Sequence, residues 1–127
     1  MRAYWLDSNV LLWWLVDDER LKKQGVRDRL RHAPRVLVSV VSPWELWIKQ
    51  VTGRLNRPFE FDERIASAWG LELISPNLAD AHLATRLPLL HRDPFDRMIV
   101  AQSINRQATL ITSDEQMTHY GADVVLL

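Results

Sequence analysis

The 127-residue chain is long enough for one domain with a single real core, and its 47% hydrophobic and 25% charged residues exclude a disordered tail or a fibre. Sixteen cations balance sixteen acids, so no bulk basic excess argues for nucleic acid, although a local basic patch beside a local acidic pocket stays open. With no cysteine, disulfides, thiolate zinc sites and a cysteine nucleophile are excluded.

Residues 3–6 form a short apolar run that ends at Asp7, and Ser8 or Asn9 can cap an apolar helix over residues 10–16. Residues 18–32 are charged, with Leu21, Val26 and Leu30 near helical spacing, which predicts an exposed amphipathic helix stopped by Pro34. The β-branched run at 36–41 predicts a buried strand. Ser42-Pro43-Trp44-Glu45 then opens a helix, with Pro at its first position, that runs to about Thr52 before Gly53. A loop over 56–61 leads to a short helix from Asp62 to Trp69. Residues 72–75 read as a strand and Asn77 starts a helix to Arg86. After a connection at 87–92, Asp93-Pro94 begins a helix to Gln107. A strand at 109–112, a short helix capped by Ser113 or Asp114, and a strand at 124–127 close the chain. Alternating short apolar strands and helices predict an α/β fold with a mostly parallel central sheet flanked by helices.

In open α/β sheets, ligands bind in the crevice beyond the carboxyl ends of the strands. Asp7 directly follows the first strand, Glu45 sits at the helix start after the second, and Asp114 lies just past the strand at 109–112. Asp96 falls in the first turn of the helix leading into that strand, where the positive end of the helix dipole favours a carboxylate. Clustered carboxylates without Cys or a metal-spaced His pair select Mg²⁺ or Mn²⁺ over zinc. Such a cation lowers the pKa of a bound water and neutralises charge on phosphoryl oxygens. Each acid also has a plain structural reading. Glu45 completes a Ser42-x-x-Glu45 capping box, Asp93 is an N-cap before Pro94, Asp96 can be its reciprocal partner, and Asp114 can be a cap. Asp7 alone has no evident structural duty at the end of an apolar strand.

Leu6-Asp7-Ser8-Asn9-Val10-Leu11-Leu12-Trp13 resembles the opening of PIN-domain ribonucleases, the VapC-type toxins of type II toxin–antitoxin pairs. Ser42-Pro43-Trp44-Glu45 resembles that family's second acid. His91-Arg92-Asp93-Pro94-Phe95-Asp96-Arg97-Met98-Ile99-Val100-Ala101-Gln102 is similar to the segment of the third, and Thr112-Ser113-Asp114-Glu115 to that of the fourth. The match runs in order over essentially the whole chain. It implies a single three-layer PIN domain over 1–127, and a Mg²⁺-dependent endoribonuclease with Mn²⁺ as substitute. The cation would be held mainly by Asp7 and Asp96 and supported by Glu45 and Asp114, with Asp93 as cap or outer neighbour. The resemblance also implies an RNA substrate, a small antitoxin partner that carries the DNA contact, and a homodimer. Asn9 can orient Asp7 or a phosphate, or merely cap. Arg92 and Arg97 bracket the third acid and can grip phosphate or pair with the acids, while His82 and His91 lack metal spacing.

Six Trp are many for this length, and most read as core, although an apolar groove on the first helices can receive a partner's helix. Thirteen of the cations are Arg, the better bidentate phosphate ligand, though compositional bias gives the same count. Position 7 interrupts any leader-like apolar run and no uncharged stretch reaches the ~18 residues of a membrane span, so a cytoplasmic location is expected. Two rivals remain open. One is a non-catalytic module whose acids are caps. The other is a phosphatase or receiver, weakened because Ser8 and Asn9 stand where those chemistries want further acids.

Overall fold

The computed structural model describes residues 2–88 and 93–127, so the expectations for His91 and Arg92 lie outside the described residues. Five parallel strands form the sheet in the order β3-β2-β1-β4-β5. In chain order the elements are β1 (Tyr4–Leu6), α1 (Ser8–Leu15), α2 (Val26–Arg31), β2 (Val36–Ser39), α3 (Val41–Val51) and α4 (Glu63–Ala68), then β3 (Leu71–Ile74), α5 (Leu78–Arg86), α6 (Pro94–Asn105), β4 (Thr109–Thr112) and β5 (Asp123–Leu126). Short 3₁₀ stretches at Glu19–Gly25 and Glu115–His119 complete the path.

Strand residues alternate between two cores because successive side chains point to opposite faces. Leu6, Val36, Val38, Leu71 and Ile111 face α1, Leu46 of α3 and the Phe59–Phe61 stack. Trp5, Leu37 and Leu110 face Ile99, Val100 and Ala101 of α6, with Met117 and Tyr120. Burial on both faces explains the nearly continuous apolar runs of β1, β2 and β4. The chain winds outward through β2 and β3, then returns across the sheet to lay β4 on the other side of β1. That reversal opens a crevice at the carboxyl ends of β1 and β4, the place where such sheets bind ligands.

Three local expectations need correction. Residues 18–32 do not form one helix. Gln24 and Gly25 adopt φ of 54° and 67°, the left-handed region, and split the segment into a 3₁₀ stretch and α2. β2 ends at Ser39 and α3 begins at Val41, with the Ser39 hydroxyl accepting from the Val41 amide at 3.1 Å. Ser42 is therefore inside the helix, and the Ser42–Glu45 capping box does not form. Lastly, the cap of α1 is Asp7 rather than Ser8 or Asn9.

Away from the crevice, buried Asp80 ties α5 to α6. It accepts from Asn77 N at 3.0 Å and Asn105 Nδ2 at 2.9 Å, and takes both Arg106 Nη groups at 2.9 and 3.0 Å. Burial raises its pKa, but these partners outweigh that and hold it below the ordinary carboxylate value. Asp80→Ala is expected to cost about 3 kcal/mol, because it strands the Arg106 charge and removes the reciprocal half of the Asn77–Asp80 capping box; urea unfolding measures it.

Candidate metal and phosphodiester site

The crevice is an open cleft of about 450 Å³ lined by Asp7, Ser8, Glu45, Asp93, Asp96 and Asp114, with Asn9, Lys49 and Arg54 at its edge. Five carboxylates from four segments of the chain thus meet in one place. Asp7 is brought there by β1, whose register sets Leu6 beside Ile111, and the Asp7 amide donates to Ile111 O at 3.0 Å. Both of its carboxylate oxygens are held: Oδ1 accepts from Ser8 N at 2.7 Å and Oδ2 from the Thr112 hydroxyl at 2.7 Å. Each oxygen keeps further lone-pair capacity, so these bonds fix the carboxylate without exhausting it as a ligand.

Glu45, only 8% exposed, caps nothing. The Ser8 hydroxyl donates to its Oε1 at 2.6 Å and lies 3.1 Å from Ser42 Oγ, while Lys49 Nζ stands 3.7 Å from Oε2. α3 places Lys49 one turn beyond Glu45, the spacing at which opposite charges meet on a helix. Asp93 is the N-cap of α6, accepting from Phe95 N at 2.9 Å and Asp96 N at 3.4 Å, both on Oδ1. One oxygen each from Glu45, Asp93 and Asp96 lies within 4.8 Å of the others, a spacing compatible with a shared cation. Asp114 caps the following 3₁₀ stretch through Gln116 N at 2.9 Å, and its amide donates to Thr112 Oγ at 3.0 Å.

The electrostatic result is strong mutual repulsion in a partly desolvated pocket. Burial pushes the Asp7 carboxyl up to about 6, against the bonds from Thr112 and Ser8 that pull it down; Glu45 and Asp114 add to the rise. Asp96 goes up to about 8, first from burial and then from the charges of Asp7, Asp93, Glu45 and Asp114. An all-oxygen donor set with excess negative charge suits a hard divalent cation, which would relieve that repulsion.

Several expectations change in detail. Asp7 has a capping duty that the sequence did not suggest, whereas Asp93 caps α6 as expected and also stands among the clustered oxygens. Arg97 does not reach the cleft. It is buried and donates to the carbonyls of Ala84, Leu87 and Pro88 at 2.7 to 2.8 Å, closing the end of α5, so the expected phosphate grip is withdrawn. Asn9 is exposed at the rim, and His82 is exposed on α5. Sequence reasoning missed Thr112, Ser42, Lys49 and Arg54. A Thr at the carboxyl end of a central parallel strand, beside an acid on its neighbour, is the signal that would have found the first.

The PIN domain family model matches residues 4–123. Ribonuclease VapC22 of Mycobacterium tuberculosis is 30% identical over 121 residues, covering 92% of this chain and 91% of the relative. Among solved structures, a toxin–antitoxin complex from Klebsiella pneumoniae matches with a TM-score of 0.66 at 18% identity, over 96% of this chain and 95% of that one. DNA-bound VapBC from Salmonella typhimurium matches at 0.67 and 17% identity, over 98% of both chains. The fold is therefore the three-layer PIN fold. The chain belongs to the PIN domain family, and the expected family resemblance stands.

Proposed function

We propose that the chain is a metal-dependent endoribonuclease of the VapC toxin type, with the acid cleft as its active site. The observation that carries this reading is the convergence of Asp7, Glu45, Asp93, Asp96 and Asp114 at the reversal point of the sheet. Helix capping accounts for Asp7, Asp93 and Asp114 but gives no reason for burying Glu45 or for raising Asp96 so far. A module whose acids are only caps would not assemble them.

Asp7 and Asp96 would hold Mg²⁺, or Mn²⁺ in its place, with Glu45 and Asp93, each offering an oxygen within 4.8 Å of one from Asp96, and Asp114 completing the negative pocket. Bound there, the cation supplies a lowered pKa for an attacking water and charge neutralisation on the scissile phosphate. The protein's own part is orientation. Thr112 fixes Asp7 and Ser8 fixes Glu45, while Lys49 and Arg54 offer positive charge to the incoming phosphodiester. A small antitoxin partner belongs to the same reading, carrying any DNA contact, and so does a homodimer. The groove formed by Leu12, Leu15, Val16, Pro58, Phe59, Ile65 and Trp69, with Glu60 also lining it, offers the antitoxin a seat beside α1.

RNA incubated with the purified chain, free of any partner, tests the activity. Internal cuts are expected with Mg²⁺ or Mn²⁺ and none with chelator; cleavage indifferent to chelator, or absent with every cation, overturns the reading. Calorimetry should also show saturable Mn²⁺ binding. Ser8→Ala is expected to slow cleavage about tenfold by releasing Glu45, at a stability cost of only about 1 kcal/mol. Ser8→Thr should retain most of the rate, since it keeps the hydroxyl. Single-turnover rates paired with unfolding midpoints check both variants.

A further inference from the structure

The acid cleft does not end at the carboxylates. Arg54 lines both that cleft and a second one of about 210 Å³, formed by Trp13, Asp18, Arg20, Leu55, Asn56 and Arg57 with the edge of α1. The two are thus joined by one side chain. The turn after α3 sets that side chain in place, with the Arg54 amide donating to Lys49 O at 2.8 Å and its Nε to Thr52 Oγ at 3.0 Å. Arg54 and Arg57 are exposed and make no ion pair among the described residues. In a chain of zero net charge that is a local excess, laid beside the five carboxyl groups of the cleft.

The second cleft also offers a flat surface. The Arg20 guanidinium lies 4.6 Å from the centre of the Trp13 ring and is steadied by Asp18 Oδ1, 3.3 Å from Arg20 Nε. Asp18 thus spends its charge on Arg20. A paired Trp and guanidinium plane is a surface on which an unpaired base stacks, while neighbouring free arginines hold the backbone. By contrast, the larger cavity of about 710 Å³ at the opposite end of the strands commits Arg2, Arg35 and Arg106 to Asp123, Glu72 and Asp80. It has no such surplus.

We infer that single-stranded RNA leaves the acid cleft over Lys49 and Arg54, with its phosphates on Arg54 and Arg57 and an unpaired base against Trp13 and Arg20. The inference rests on the ribonuclease reading for the identity of the strand. It adds which side of the cleft the substrate occupies and which residues position it. Arg54, Arg57 and Trp13 are positioning residues, and their effect belongs in binding rather than in the chemical step.

The test is fluorescence anisotropy of a labelled, mixed-sequence single-stranded RNA on the Asp96→Asn chain with chelator, at two salt concentrations. Arg54→Glu with Arg57→Glu is expected to weaken binding at least about tenfold and flatten the salt dependence. Trp13→Ala should weaken it about fivefold with the salt slope unchanged, and Trp13→Phe should restore most of the loss. Arg29→Glu, exposed beside a cavity at the far end of the strands, reverses one charge, half the change of the double variant, and should stay within about twofold. Unchanged affinity in the double variant, an equal loss in Arg29→Glu, or no binding by the parent overturns the track. Parallel cleavage assays separate the two readings. A chain that binds in this pattern yet never cuts RNA refutes the nuclease and keeps the track, whereas cation-dependent cutting without the pattern does the reverse.

Discussion

Cleavage by the Asp96→Asn protein is expected to fall about 10³-fold or more, a loss of about 4 kcal/mol of transition-state stabilisation. Asp96 carries the largest upward pKa shift in the cluster and feels every other acid in it. An amide there keeps the shape but removes the charge that a divalent cation would neutralise. Asp7→Asn should cost a similar factor in cleavage, because Asn still caps α1 but cannot present a carboxylate between Ser8 and Thr112. Asp93→Asn should cost far less, about tenfold, since its cap to Phe95 and Asp96 survives the change. Initial rates on one RNA at saturating Mg²⁺ rank the three, and circular dichroism checks that each is folded. An Asp96→Asn protein within tenfold of the parent would remove this residue from the site.

The same residue is expected to reverse the usual pH dependence of a carboxylate. Asp96 titrates near 8 in the folded protein against about 4 in the unfolded chain, so the folded state binds its proton more tightly. Its contribution is therefore intact below pH 4 and is lost as pH rises from 4 through 8, and Asp7 adds a smaller loss between about 4 and 6. Each unit of mismatch is about 1.4 kcal/mol, and screening in the open cleft reduces the total. Cation-free Asp96→Asn should thus be more stable than the parent by about 2–4 kcal/mol at pH 8.5 and nearly equal to it at pH 4. Urea midpoints with chelator across that range measure the difference. Saturating Mn²⁺ should restore the parent at pH 8.5 and leave the variant almost unmoved. A constant gap between the two proteins at all pH values would remove the electrostatic account of the site.

The parallel sheet was legible because β2 and β4 are short, β-branched and apolar on both faces, and helices separate them. The acids could be placed for the same reason, since the carboxyl ends of parallel strands share one edge. What was not legible is how each acid is held. Whether Glu45 closes a capping box depends on a one-residue question, where α3 begins, and Ser39 decides it by accepting from Val41. Thr112 binds Asp7 across a separation of 105 residues, which no local pattern encodes. Arg97 sits in sequence beside Asp96, yet the helix turns it about 100° away and into the carbonyls that end α5. The break at Gln24 and Gly25 has a glycine to mark it, but the apolar spacing of Leu21, Val26 and Leu30 runs across it without interruption.

The position of β1 also has a consequence for synthesis. This strand is the centre of the sheet, but one neighbour, β4, is among the last elements of the chain. As the polypeptide leaves the ribosome, Asp7 and Glu45 emerge early, while Asp96, Thr112 and Asp114 come much later. Until they do, β1 keeps an open edge and Asp7 lacks the hydroxyl that orients it. A nascent intermediate that lacks β4 therefore cannot assemble the carboxylate cluster, and on the proposed reading cleavage waits for residues 109–114 to emerge.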